Sequence, residues 1–379
     1  MSERSLNRVN RLLTNRVTEA REVVGAVVLV RDPEGVVFHE AYGLRQRIPS
    51  EKAMTKRTVF DLASLTKPVC TSLLAMIMTD RGRLSPDERL ATWFGPLKDP
   101  EKGEITVRQL LSNRSGLPAW RPYYREYPRG PKPVDQEEIV GRILAEPLEG
   151  PPGEKEIYSD LGFILLGSIL EKVSGLSLDQ LFRAEIAMPL GLRDTGYRRI
   201  SGLQAHPQRT DEPIAATENC AWRGRVLVGE VHDENCCLLG GVAGHAGLFS
   251  TAADLDRVVA ELFEGSRGRS DLFSPLSMST FFHRQAPPGQ GTWALGWDTP
   301  SERDSASGHY YSKNSFGHNG FTGTSLWVDF DRHVSVVFLT NRVHPTRENG
   351  AIRGLRPQVH DAVFEEVLLV RNDHFSGSG

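Results

Sequence analysis

Apolar positions along this chain follow two rhythms. At the start, Leu6, Val9, Leu12, Leu13, Val17 and Ala20 fall near helical spacing among polar residues, which predicts an amphipathic helix lying on the body of the protein. Two apolar runs follow in GAVVLVRDPEGVVFHEAYG, separated by the turn formers Asp32-Pro33-Glu34-Gly35, and this predicts a β-hairpin. In TVFDLASLTKPVCTSLLAMIMTDRG a polar break at Ser64 precedes an apolar stretch ending at Gly82, where a helix C-cap fits. Ser64 is therefore expected near the start of a helix.

Residues 83–230 are rich in turn formers and helical patterns such as VRQLLSNRSGLP, DQEEIVGRILAE and SLDQLFRAEIAMPLGL, and predict mostly helix and loop. The character changes near residue 240. AADLDRVVAELFEG predicts a helix, TSLWVDF and VSVVFLTN two strands joined through Asp331-Arg332-His333, and VHDAVFEEVLLV a closing helix before a polar tail. Strands thus gather at both ends of the sequence with helices between. The predicted fold is α/β (α+β): an antiparallel sheet built from both chain ends and flanked by helices, with a mostly helical inserted lobe. One unit is expected over residues 1–379, with a sheet lobe from 1–63 plus 240–379 and a helical lobe from 64–239.

Composition narrows the function. The 379 residues suffice for a large core in two lobes. Charged residues make up 25% and nearly cancel to a net charge of -3, without a basic block, so nucleic acid is not an expected partner. The longest clean apolar stretch, Leu161 to Leu170, is bounded by Asp160 and Glu171 and falls short of the roughly 20 residues that cross a bilayer, so a buried helix is expected and no membrane span. The N-terminal segment shows no continuous apolar core or small-residue cleavage site, and a cytoplasmic location is expected. Cys70, Cys220, Cys236 and Cys237 lack C-x-x-C spacing and are expected to be reduced packing thiols. There is no H-E-x-x-H, and His232-Asp233-Glu234 and His245 show no recognisable ligand spacing, so neither metal nor cofactor is expected. A G-x-S-x-G nucleophile elbow is also missing.

Three constellations carry candidate chemistry. In Ser64-Leu65-Thr66-Lys67 the hydroxyl and amine are three residues apart and share a helix face. A serine needs a neighbouring base to become nucleophilic, and a lysine serves if burial or nearby positive charge lowers its pKa. About one such tetrapeptide arises by chance in a chain of this length, so the company it keeps matters. Tyr158-Ser159-Asp160 stands between the turn-rich PPGEKEI and the apolar helix, where a tyrosine either projects its hydroxyl into a cleft or simply packs. Gly317-His318-Asn319-Gly320-Phe321-Thr322-Gly323-Thr324 leads into TSLWVDF, and its glycines would let a substrate approach an edge strand. The aromatic run Trp120, Tyr123, Tyr124 and Tyr127 either roofs such a cleft or packs the helical lobe.

In this order the three segments resemble the S-x-x-K, Y-x-N and K/H-x-G motifs of class C β-lactamases and the related penicillin-binding proteins and family VIII esterases. RQLLSNRSGLP, the stretch around Tyr158 and GGVAGHAGLFSTAADL are similar to further segments of that family, so the resemblance runs over roughly residues 20 to 370. It implies a serine hydrolase with Ser64 as nucleophile, Lys67 and Tyr158 as the proton-transfer pair, and the backbone N–H groups of Ser64 and Phe321 as oxyanion hole. Asp160, His318, Gly320 and Thr322 would line the substrate site. Two residues depart from the pattern. Asp160 replaces an asparagine, removing an amide donor, and its charge could hold Lys67 protonated. His318 replaces the lysine that attracts a β-lactam carboxylate in efficient β-lactamases. Both shift the expectation from antibiotic hydrolysis toward carboxylester or D-amino-acid peptide substrates, with β-lactamase as the alternative and a non-catalytic binding or assembly protein as an answer of another class. The expected partner is a small-molecule or short-peptide substrate.

Overall fold

The computed structural model describes residues 6–127, 133–200, 212–287 and 289–376, with side chains through residue 368. Its largest feature is a six-stranded antiparallel sheet. In chain order the strands are β1 (Gly25–Asp32), β2 (Gly35–Gln46), β3 (Lys52–Ala53), β4 (Ser315–Asn319), β5 (Ser325–Asp329) and β6 (Val334–Thr340), and their spatial order is β3-β2-β1-β6-β5-β4. The two ends of the chain meet at the centre, where β1 pairs with β6 in a register that sets Val28 opposite Phe338 and Leu29 opposite Val337.

Alternation along these strands explains the layers on either side. Val27 and Leu29 of β1, Leu326 and Val328 of β5, and Val337 and Leu339 of β6 point into the larger core. Ala26, Val28, Val30, Val336 and Phe338 point the other way. Both faces of the central strands are therefore apolar, and both must be covered. The smaller core is closed by α1 (Asn7–Leu13) and α6 (Ile352–Ser376), the helices nearest the two chain ends. On the larger face lie α2 (Leu73–Asp80), α3 (Asp160–Ser174) and α5 (Ala252–Ser266). The apolar runs Leu73–Met78 of α2 and Leu161–Leu170 of α3 are buried throughout, as an all-round apolar sequence requires. Each buried Leu, Val or Ile side chain contributes roughly 1.5–3 kcal/mol. No single helix among the described residues is long and apolar enough to cross a membrane.

The middle of the chain holds more extended structure than its sequence suggests. Ala216–Cys220 and Arg225–Val228 form a two-stranded hairpin, turned at Gly224 with φ 68. A second short sheet pairs Leu248–Ser250 with both Phe60–Asp61 and Gly196–Tyr197. These strands are two to five residues long and their cross-chain partners supply the order, so the local pattern carries little signal. The aromatic run divides between its two expected roles: Trp120 faces the cleft described below, while Tyr123 is buried in the larger core and Tyr124 meets Trp222 edge-on at 5.0 Å.

The loop 243–247 packs against α3 at Gly244, where an added Cβ would stand 2.1 Å from the Phe163 carbonyl oxygen and 3.0 Å from the Gly167 amide. Both obstacles are backbone and cannot rotate away. Gly244→Ala is expected to cost roughly 1–3 kcal/mol by overpacking, read as a lower midpoint in thermal unfolding followed by circular dichroism, whereas Gly141→Ala, with no heavy atom within 4 Å of the new Cβ, is expected not to lower it.

Candidate active site

Ser64 follows Ala63, whose φ of 47 is unusual for a residue with a side chain. That conformation is held by Asp61, which accepts the Ala63 N–H at 2.9 Å, and it turns the chain sharply from Phe60–Asp61 into the helix. Ser64 is thereby brought to the floor of a cleft of about 600 Å³ while its neighbours Leu62 and Leu65 are fully buried. One turn on, Lys67 is completely buried. Its Nζ donates to Ser64 Oγ at 3.0 Å and to the His245 carbonyl at 3.1 Å, and forms an ion pair with Asp160 at 2.6 Å. Burial by itself would push this amine down, but the charge of Asp160 and the proximity of Tyr158 outweigh it and hold Lys67 above the ordinary lysine range. The free site therefore contains an ammonium, not the neutral amine that the sequence alone left open.

Tyr158 and Asp160 reach this point from the N-terminus of α3. Ser159 is the N-cap, accepting from Gly162 N, and its hydroxyl donates to the Pro118 carbonyl, so the residues on either side of it face the cleft. The Tyr158 hydroxyl interacts with both Lys67 and Ser64. Burial raises its pKa more than Lys67 lowers it, so the group is a neutral phenol. Its ring stacks on Trp293 at 5.4 Å and lies 5.8 Å from the ring of His318. His318 is buried, its Nδ1 lies 2.9 Å from the Asn319 carbonyl, and burial beside Lys67 pushes its pKa down to about 3. It is therefore neutral across the ordinary pH range.

The glycine-rich segment is a turn clamped against the serine. Gly320 N donates to Thr324 O at 2.7 Å, and a Cβ on Gly320 would stand 2.5 Å from the Leu62 carbonyl oxygen. Thr322 and Thr324 donate to the carbonyls of Asp61 and Leu62 at 2.8 and 3.0 Å. Thr322, expected among the substrate-binding residues, is thus buried and fastens the turn; it does not line the cleft. Phe321 does line it, half exposed, with its ring stacked on His232 at 5.6 Å and capped by the Arg342 guanidinium at 4.5 Å. The sheet edge is also one strand further out than TSLWVDF suggested. His318 and Asn319 belong to β4, whose outer side is covered at Gly317 by a bridge to Asp298.

Six of the sequence candidates, Ser64, Tyr158, Asp160, His318, Gly320 and Phe321, line one cleft, and Lys67 lies directly behind them. The cleft has a further wall that motif spacing did not assign: His232, Asp233, Glu234, His245, Trp293, Asp298 and Arg347. Arg347 pairs with Glu218 and Glu234 at 2.5 Å each, and Glu218 is held down to about 2 by His232 and Arg347 against its burial. Asp298 is pushed up to about 6 by burial. Glu218, Cys220 and Glu234 bring candidate metal-ligand atoms within 4.8 Å of one another, yet Arg347 already joins both carboxylates and balances their charge. His232, Asp233 and His245 are visible in the sequence, but only as residues without metal spacing; their signal lies in contacts between segments.

Comparison with known proteins gives a consistent picture. The Beta-lactamase family model matches residues 9–360. A protein of Escherichia coli (strain K12) named D-alanyl-D-alanine carboxypeptidase is 31% identical over 368 residues, covering 89% of this chain and 82% of its own length. An N-acetylmuramyl-L-alanine amidase of Bacillus subtilis (strain 168) is 30% identical over 367 residues, covering 90% and 82%. Among solved structures, EstCE1, a hydrolase with promiscuous acyltransferase activity, superposes with a TM-score of 0.73 at 26% identity over 94% of this chain and 97% of its own.

The Lys67–Asp160 pair has a direct readout. Asp160→Asn removes the charge that favours the ammonium and leaves the burial that disfavours it, so the Lys67 pKa, followed by ¹⁵N NMR of Nζ, is expected to fall by about 1–3 pH units. Because the folded pKa lies above the unfolded one, the pair stabilises the parent fully below the ordinary lysine pKa and loses that effect only as pH rises through the folded value.

Proposed function

Because this chain belongs to the beta-lactamase family and is a hydrolase, we propose that Ser64 is its nucleophile and that it works through a covalent acyl-enzyme on the ester or amide bond of a small molecule or short peptide. The observation that carries this reading is the contact of Lys67 Nζ with Ser64 Oγ at 3.0 Å on the floor of the cleft, with the Tyr158 hydroxyl beside both. Charge states set the division of labour. Lys67, already an ammonium, stabilises the negative charge that develops on oxygen. Tyr158, a neutral phenol, takes the Ser64 proton while passing its own to the leaving group, so a free phenolate never has to form. The backbone N–H groups of Ser64 and Phe321 polarise the carbonyl under attack.

D-amino-acid peptidase or carboxylesterase activity suits the cleft better than β-lactamase activity. His318 is neutral where a lactam carboxylate would meet a cation. Arg347, the one cationic side chain lining the cleft among the described residues, is bound to two carboxylates. The names of the relatives, a carboxypeptidase and an amidase, support an amide substrate, and EstCE1, a hydrolase with promiscuous acyltransferase activity, supports acyl transfer.

A fluorophosphonate probe is expected to label the parent and not Ser64→Ala; an unlabelled parent would remove the enzyme reading in favour of a binding protein. With D-alanyl peptides, p-nitrophenyl esters and nitrocefin assayed side by side, Ser64→Ala is expected to lose at least about 10³-fold in kcat/KM on the peptides and esters. Nitrocefin turnover faster than both would reverse the order of substrates.

A further inference from the structure

The cleft carries a base that the steps above leave idle. His245 is 1% exposed and lines the cleft. Its Nε2 lies 2.9 Å from Asp233 Oδ1, and its Nδ1 is buried without a hydrogen-bond partner. Donation of Nε2–H to the carboxylate fixes the tautomer and leaves a lone pair on Nδ1, the arrangement that turns an imidazole into a general base. Asp233 is itself anchored: the same oxygen accepts Cys236 N at 2.7 Å as the N-cap of α4 (Glu234–Leu238), and His245 and Lys67 hold its pKa well below the carboxylate range despite burial.

The loop bearing His245 is held at every residue. Tyr197 donates to the Ala243 carbonyl at 3.0 Å, Thr71 to Gly244 at 2.6 Å, Lys67 to His245 at 3.1 Å and Cys236 Sγ to Ala246 at 3.2 Å. Lys67 thus touches the serine and the backbone of the histidine at once, so the imidazole is fixed relative to Ser64. Three of the groups already named are less suited to accept a proton. Lys67 is an ammonium, Tyr158 is a phenol that must release a proton as it gains one, and His318 is too weak a base.

We propose that the Asp233–His245 dyad is the general base for deacylation. This rests on Ser64 being the acylated residue. His245 Nδ1 removes a proton from water as its oxygen bonds to the acyl carbon. The tetrahedral intermediate then breaks the bond from carbon to Ser64 Oγ, which takes a proton from Lys67, and Lys67 recovers one from the imidazolium. The products are the free acid and the resting serine, with no proton gained or lost by the enzyme. Acylation does not need the dyad, because Tyr158 serves it.

The test separates the two half-reactions with p-nitrophenyl acetate. In His245→Gln the first-turnover burst of p-nitrophenol is expected to stay within about threefold of the parent, while steady-state release falls by about 10²-fold or more and an acetyl group on the Ser64 peptide persists in mass spectra. Asp233→Asn is expected to move the same ratio in the same direction, by about tenfold, and stands in for the first variant should that one not fold. A burst and steady state that fall together, or a steady state unchanged in both variants, would overturn the assignment. No burst in the parent, or an undiminished burst in Ser64→Ala, would instead remove the nucleophile itself and the dyad's role with it.

Discussion

A single ammonium, fully enclosed, dictates the arrangement of the site. Lys67 cannot be buried as an ion without partners, because an uncompensated charge in the interior costs several kcal/mol. It finds them in three separate segments: Ser64 on its own helix, Asp160 at the head of α3, and the carbonyl of His245 on a loop 178 residues beyond Lys67 in the chain. Satisfying one side chain thus requires those segments to converge. Convergence in turn sets the remaining electrostatics, since the same charge helps keep His318 neutral and draws down the pKa of Asp233.

Asp160 makes this solution self-contained. An asparagine there would leave the ammonium to be stabilised by neutral dipoles and by whatever bound; the carboxylate at 2.6 Å neutralises it from within. Arg347 is treated alike by Glu218 and Glu234. Among the described residues, Lys67 behind the cleft and Arg347 on its wall are thus each compensated by carboxylates. Four aromatic side chains, Trp120, Tyr158, Trp293 and Phe321, line the cleft beside its carboxylates.

The parts of this design written in local pattern were legible in the sequence. The β1–β2 hairpin shows as Val-rich runs around Asp32-Pro33-Glu34-Gly35, the β5–β6 hairpin as TSLWVDF and VSVVFLTN, and the place of Ser64 as a polar break before an apolar helix. What depends on contacts between distant segments was not. β4, SFGHN, has no β-branched residue and is a strand only because β5 and Asp298 flank it. Thr322 looked like a ligand contact because the hydrogen bond it makes, to the carbonyl of Asp61, joins segments at opposite ends of the sequence. Asp233 and His245 were conspicuous as types but silent as partners, and the protonation of Lys67 follows from the placement of one oxygen.

The pairing of β1 with β6 has a consequence for when the protein becomes active. Ala26 lies opposite Thr340, so the centre of the sheet is a strongly non-local pairing, and such contacts form late because a long loop must first be closed. During synthesis Ser64 and Lys67 leave the ribosome long before β4, β5 and β6 exist to clamp the turn beside them. The architecture therefore acts as a timer. Ser64 and Lys67 cannot be held in the geometry of the finished site until almost the whole chain has been made and its two ends have met.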